Sequence, residues 1–278
     1  MKSKILKTAV ISATLSSMLY ASSVRDKSIE FVKNVFNKDR GIVKVEDIKL
    51  VSSSKIKNGW EMDVIKAKIL AVDKKEHTPT ITVFTDGHYF TELAYDSKGN
   101  PVFNDIKIDT KKLYNNSALI YEPKDKTKIK KRVAVFSDTE CPYCNLNGYK
   151  VLDKLKKSKD TAIYYYHFPL EEIHPNSKNY SLCIIAASKK YPNKKFEIIE
   201  KIYKDKAFQY KQGEKARDLK DIVKEFNKEV PFAKITLDDI KKYKANDELQ
   251  KEFQYGLSIG VMGTPTVIVN GKKVREIN

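Results

Sequence analysis

Residues 131–144, KRVAVFSDTECPYC, constrain this chain more than any other stretch. KRVAVFSD is a short apolar run of buried-strand character, SDTE is a short loop, and NLNGYKVLDKLKK follows the two cysteines. In that last segment Leu146, Tyr149, Leu152 and Leu155 recur at helical spacing. Strand, loop and helix therefore meet at Cys141. Pro142 falls at an early helical position, where its missing N–H leaves no bond unmade. Further on, TAIYYYHF reads as a second strand and residues 172–257 are mostly helical in pattern. TVIVN-GKKVREI reads as a hairpin turning at Asn270-Gly271. That order of elements belongs to a mixed α/β domain.

A Cys-x-x-Cys pair can hold a metal, staple the chain or react. A structural zinc site wants four ligands, commonly two such pairs. This chain has one pair and a distant Cys183, and its four histidines (His77, His88, His167, His174) show no ligand spacing. No metal is expected. As a staple the pair closes a very short loop and constrains the unfolded chain little. A reactive thiol fits best. Unpaired N–H groups and the helix dipole at a helix start favour negative charge, and so the thiolate of Cys141. Cys144, one turn on, is the more shielded thiol and can resolve a mixed disulfide formed at Cys141.

The chain's 278 residues suggest about two domains. Residues 24–38 place Ile29, Val32 and Phe36 on one helical face, widened by Phe31 and Val35. IVKVEDIKLV, GWEMDVIKAKILAV, TPTITVF and HYFTELAY then alternate apolar and polar residues. They are separated by turn signals at Asn58-Gly59, Asp86-Gly87 and residues 96–100. The expected organisation is a small α+β domain over 22–110, an exposed connector over 111–130, and an α/β domain over 131–278 with a helical insertion at about 171–257.

The net charge of +17 comes from 53 basic and 36 acidic residues. Only five of the basic residues are Arg, and acids lie between them along the whole chain. A nucleic-acid surface concentrates its basic residues and uses Arg for bidentate contacts, so the excess reads as a solvated Lys-rich surface. MKSKILK followed by the uncharged AVISATLSSMLY reads as a secretory signal peptide over 1–21. Its apolar run is short for a membrane span. The mature chain is then expected in an oxidising compartment, where thiol pairs can be disulfides.

FSDTECPYC and the distant GTPTVIVNG together resemble the thioredoxin superfamily, and within it the bacterial periplasmic Dsb proteins. The resemblance covers most of 131–277. The FSD strand, the CPYC tetrapeptide and Thr264 before Pro265 are similar to the isomerase branch called DsbC and DsbG. FTDGHYFTELAYDSKGN looks like the end of that branch's cystatin-like dimerisation domain. The resemblance implies a thioredoxin fold with Cys141 as nucleophile and Cys144 as resolving thiol. It implies Pro142 and Tyr143 as tuners of redox poise, and Thr264 with a cis Pro265 as a substrate-facing loop. It further implies a periplasmic homodimer acting as disulfide isomerase or reductase, with no cofactor beyond a Cys141–Cys144 disulfide. Its partners would be unfolded or misoxidised secreted proteins and a membrane redox protein, with no nucleic acid.

The sequence departs from that pattern in three places. HFPLEEIHPNSKNYSLCIIAASK looks like the insertion of the DsbA oxidases, which keeps a disulfide-donating oxidase as the alternative. Val135 stands where thioredoxin has a buried Asp, and the chain stops soon after the hairpin. A redox-independent chaperone is a further alternative of another class. Asp138 and Glu140 read as loop acids that oppose the thiolate slightly. Cys183 reads as an inert core thiol. His167 and His174 read as structural, and Trp60 as a core or dimer contact.

Overall fold

The computed structural model describes residues 24–56, 59–95 and 106–274. The signal-peptide reading and the turn signal at 96–100 lie outside them. The chain divides into two compact units at Lys107/Ile108.

The first unit is a helix and an antiparallel sheet. Helix α1 spans residues 24–38. The strands are β1 (Ile42–Lys55), β2 (Glu61–Ala71), β3 (Glu76–His77), β4 (Thr80–Thr85) and β5 (Phe90–Thr91). They run in the order β1-β2-β4-β5, with β3 on β2. Val32 of α1 meets Ile65 and Val83 in the core, and Ile29, Phe31 and Phe36 pack around them. Val35 is exposed, so the apolar stripe is narrower than its sequence suggests. Ser28 donates to the buried carboxylate of Asp63 at 2.7 Å, tying helix to sheet where apolar packing alone would leave Asp63 costly. Trp60 is half-buried.

The second unit is a mixed sheet covered by helices. Its elements are α2 (Thr110–Leu113), β6 (Leu119–Tyr121), β7 (Lys131–Ser137), α3 (Pro142–Lys157) and β8 (Thr161–His167). Then come α4 (Ser177–Lys190), α5 (Lys195–Asp205), α6 (Leu219–Glu229), α7 (Leu237–Lys242), α8 (Ala245–Ser258), β9 (Thr266–Val269) and β10 (Lys272–Val274). Strand order is β10-β9-β7-β8-β6. The central β7 pairs parallel with β8 and antiparallel with β9. Parallel neighbours require a crossover, and α3 supplies it. β8 is buried along its whole length, as a strand covered on both faces must be. The hairpin turns at Asn270 and Gly271, both at positive φ (47° and 81°), the conformation that a tight primed turn demands.

Two expectations need correction here. Residues 111–130 are not an exposed connector: β6 pairs antiparallel with β8 and forms the sheet edge. Three apolar residues, Leu119 to Tyr121, are too few to show a period. Leu146 does not join the core face of α3; it is exposed, while Leu152 and Leu155 are buried. The first turn of α3 has an exposed side, with Pro142, Tyr143 and Leu146, while its Cys144 and Asn145 are buried. Near that end, Gly256 of α8 lets Phe168 and Phe136 approach so closely that an added Cβ would lie 2.8 and 3.2 Å from their rings.

Candidate active site

β7 ends at Ser137, and residues 138–140 bring the chain to Cys141, the N-cap of α3. Cys141 takes an extended backbone conformation and Pro142 starts the helix. The loop is held from within. Cys141 N donates to the Asp138 carbonyl at 3.2 Å. The Asn145 side-chain amide donates to the carbonyls of Thr139 and Cys141 at 2.7 and 3.0 Å.

Asp138 and Glu140, read from the sequence as loop acids, lie in the loop between β7 and α3. Both are fully buried. Asp138 accepts from the backbone N–H of Glu140 and Leu170 at 2.9 and 2.8 Å, and its Oδ2 lies 2.8 Å from His174 Nδ1. Glu140 accepts from the backbone N–H of Asn176 at 2.7 Å. The opening of the helical insertion is thereby fastened to the loop that carries Cys141. Burial pushes the Glu140 carboxyl up to about 7, partly offset by the Asn176 bond, with Glu214 and Asp138 adding to the rise. Burial opposes charge on His174, but the bond to Asp138 and the negative charges of Asp138, Cys141 and Glu140 outweigh it and raise its pKa. Sequence reading missed Asn145, Asn176 and the His174–Asp138 contact. The partners in the last lie 36 residues apart, and no local pattern joins them.

Cys141 and Cys144 are both unpaired thiols, 3% and 2% exposed. The Cys141 thiol is lowered to about 6, first by the hydrogen bond from Cys144. Burial opposes the shift; Thr264 and the backbone N–H groups of Cys144 and Tyr143 add to it. Those two N–H groups belong to the helix start, where no intrahelical acceptor exists. Cys144 is pushed upward by burial and then by the neighbouring Cys141. One thiol is therefore an anion at neutral pH and the other is held as its donor. Such a pair can attack a disulfide from Cys141 and release the product from Cys144.

The loop at 263–265 closes over the pair. The Thr264–Pro265 peptide is cis, and in its thiol form Cys141 donates from Sγ to the Thr264 carbonyl at 3.4 Å. Thr264 Oγ1 is buried without a hydrogen-bond partner, a donor that can turn to the sulfur once it ionises. Pro142 and Pro265 are exposed, and Tyr143 is 75% exposed. All six residues singled out in the sequence thus gather at one end of the sheet. Cys183 lies apart on α4, buried and pushed upward by burial, consistent with an inert thiol. His167 Nδ1 lies 2.8 Å from Glu252, which also accepts from the His167 backbone at 2.7 Å. Among the described residues, no group of three or more His, Cys, Asp or Glu side chains is placed to share a metal ion.

A dithiol at a helix start under a cis-proline loop, on a mixed sheet with this strand order, defines a thioredoxin-type fold and site. A family model described as Thioredoxin matches residues 126–278, more than half of the chain. The chain belongs to that family. A search of curated proteins finds no match. Among solved structures, the catalytic domain of Proteus mirabilis ScsC is 21% identical with a TM-score of 0.42, over 58% of this chain and 82% of that one. BdbD from Bacillus subtilis is 15% identical with a TM-score of 0.44, over 56% and 83%. The thiol-disulfide exchange protein alpha-DsbA2 from Wolbachia pipientis is 14% identical with a TM-score of 0.45, over 59% and 82%.

Proposed function

We propose that this protein is a periplasmic thiol–disulfide oxidoreductase that isomerises or reduces wrong disulfides in secreted proteins. The placing of two buried thiols at the start of α3, Cys141 as its N-cap and Cys144 one turn on, beside the cis Thr264–Pro265 peptide, carries the reading. The Cys141 thiolate attacks a substrate S–S bond; a mixed disulfide forms and a substrate thiolate leaves. For isomerisation, that thiolate attacks another substrate disulfide, and the last exchange returns Cys141 as thiolate. For reduction, Cys144 attacks Cys141 Sγ, the mixed disulfide breaks, and the Cys141–Cys144 disulfide remains for a membrane redox partner to reduce. No cofactor beyond the two cysteines is needed for this cycle.

The isomerase direction rests on Thr264 before Pro265 and on the separate α+β unit, which would join two copies into a homodimer. Periplasmic location rests on the leader-like residues 1–21. The helices α4–α8 between β8 and β9 favour a second reading, a disulfide-donating oxidase. Acid-trapping the thiols in living cells and labelling them with a bulky alkylating reagent separates the two, with Cys183→Ala keeping the count unambiguous. A mostly reduced pair supports isomerase or reductase action. A mostly oxidised pair replaces it with donation. Cys141→Ala should abolish exchange in either case; exchange surviving that change would mean the activity lies elsewhere.

A further inference from the structure

The family position that would hold a proton-accepting carboxylate beneath the resolving thiol is Val135 here. Hydroxyl groups gather there instead. Ser137 Oγ lies 2.5 Å from Tyr203 Oη, and Tyr203 Oη lies 2.7 Å from Tyr165 Oη. All three residues are buried, and they come from three elements: Ser137 ends β7, Tyr165 lies on β8 and Tyr203 on α5. Cys144 is buried in the same core cluster as Tyr165 and Tyr203, and Ser137 favours its thiolate. Gly148, one turn beyond Cys144 on α3, shows how closely Tyr203 is seated. A Cβ there would lie 2.9 Å from the Tyr203 ring.

Resting on the oxidoreductase reading above, we propose that Ser137, Tyr203 and Tyr165 are positioning residues for Cys144. In their place as a donor chain, they stabilise its thiolate at the moment it resolves the mixed disulfide. Tyr165 O–H donates to Tyr203, Tyr203 O–H donates to Ser137, and Ser137 O–H donates to Cys144 Sγ. Hydrogen bonds in such a chain polarise one another in a low-dielectric interior. In the step they serve, the Cys144 thiolate attacks Cys141 Sγ. The Cys141–substrate S–S bond breaks, the Cys141–Cys144 bond forms, and the substrate leaves as a thiolate. The proton Cys144 gives up to solvent is matched by the one the released thiol takes.

The charged and titratable surroundings leave this role to the hydroxyls. On α3 itself Cys144 faces Cys141, whose negative charge opposes a second thiolate in the dithiol form. That charge is gone once Cys141 is bonded to substrate. From β7 come Ser137 and the backbone of Asp138, from β8 Tyr165, and from α5 Tyr203. Burial holds both phenols above their usual range, so they stay protonated donors.

The test uses the full reduced chain and an aromatic disulfide that releases a coloured thiol. A first release reports attack by Cys141, and a second reports resolution by Cys144. Tyr203→Phe removes one hydroxyl and keeps the ring. It should leave the first release within about twofold and slow the second about fivefold at neutral pH, the factor carried by one neutral hydrogen bond. Ser137→Ala should do the same, which guards against a folding defect peculiar to one variant. A second release that keeps its rate and pH profile in both variants overturns the proposal. Ser137→Thr keeps a hydroxyl at the head of the chain and should restore the second release; slowing in it as large as in Ser137→Ala marks a purely structural role and also overturns the proposal. Absence of any first release from the unmodified protein would instead sink the oxidoreductase reading itself.

Discussion

Replacing Cys144 with Ala tests what sets the charge on Cys141. The hydrogen bond from Cys144 is the largest cause of the fall from the ordinary 9.0 to about 6. A hydrogen bond to a charged group contributes about 1.5–3 kcal/mol, and one pKa unit corresponds to about 1.4 kcal/mol. Its loss should raise the Cys141 midpoint by about one to two units, to roughly 7–8. At pH 7 the thiolate share then falls from roughly nine-tenths to between about a half and a tenth. The assay is the rate of alkylation by iodoacetamide across pH. Rate at one pH is a poor readout, because intrinsic nucleophilicity rises with pKa; the midpoint decides. Cys144→Ser keeps a donor and should restore much of the shift. A Cys144→Ala midpoint that stays near 6 would refute the assignment and leave the lowering to the helix start and Thr264. The same shift has a stability consequence. Cys141 is depressed, so its stabilisation of the dithiol form is fully present above about 9 and is lost as pH falls through about 6. Cys144 is raised, so its effect lies on the alkaline side of 9. The disulfide form carries neither contribution. Its denaturation midpoint should therefore gain on that of the dithiol form as pH falls from 9 to 6.

Glu140 is raised from 4.5 to about 7, so its neutral form is favoured by folding, and stability should fall as pH rises between those values. Glu140→Gln should flatten that part of the urea-denaturation profile, and an unchanged slope would argue against the buried carboxyl as its source. Gly256→Ala places a Cβ 2.8 Å from Phe168 and should cost about 1–3 kcal/mol in chemical denaturation, whereas a loss under about 0.5 kcal/mol would show that the rings yield freely.

The sequence by itself determined what depends on neighbours in the chain. The start of α3 at Pro142, the N-cap placing of Cys141 and the turn at Asn270-Gly271 follow from local sterics and unpaired N–H groups, and all were legible. The link between Cys141 and Thr264, 123 residues away, was legible only because two short motifs resemble a known family together. Tertiary structure alone decided the rest. Asp138 and Glu140 read only as loop acids until the chain from Leu170 to Asn176 folds over them and supplies their donors. Leu146 and Val35 fit their apolar stripes, yet a period does not say how far the covering surface reaches. Ser137, Tyr165 and Tyr203 are unremarked polar positions in three separate segments until the packing of α5 against α3 brings their hydroxyls into line. Periodicity and turn chemistry act over a few residues, whereas desolvation and hydrogen-bond pairing in a core depend on which distant segments meet there.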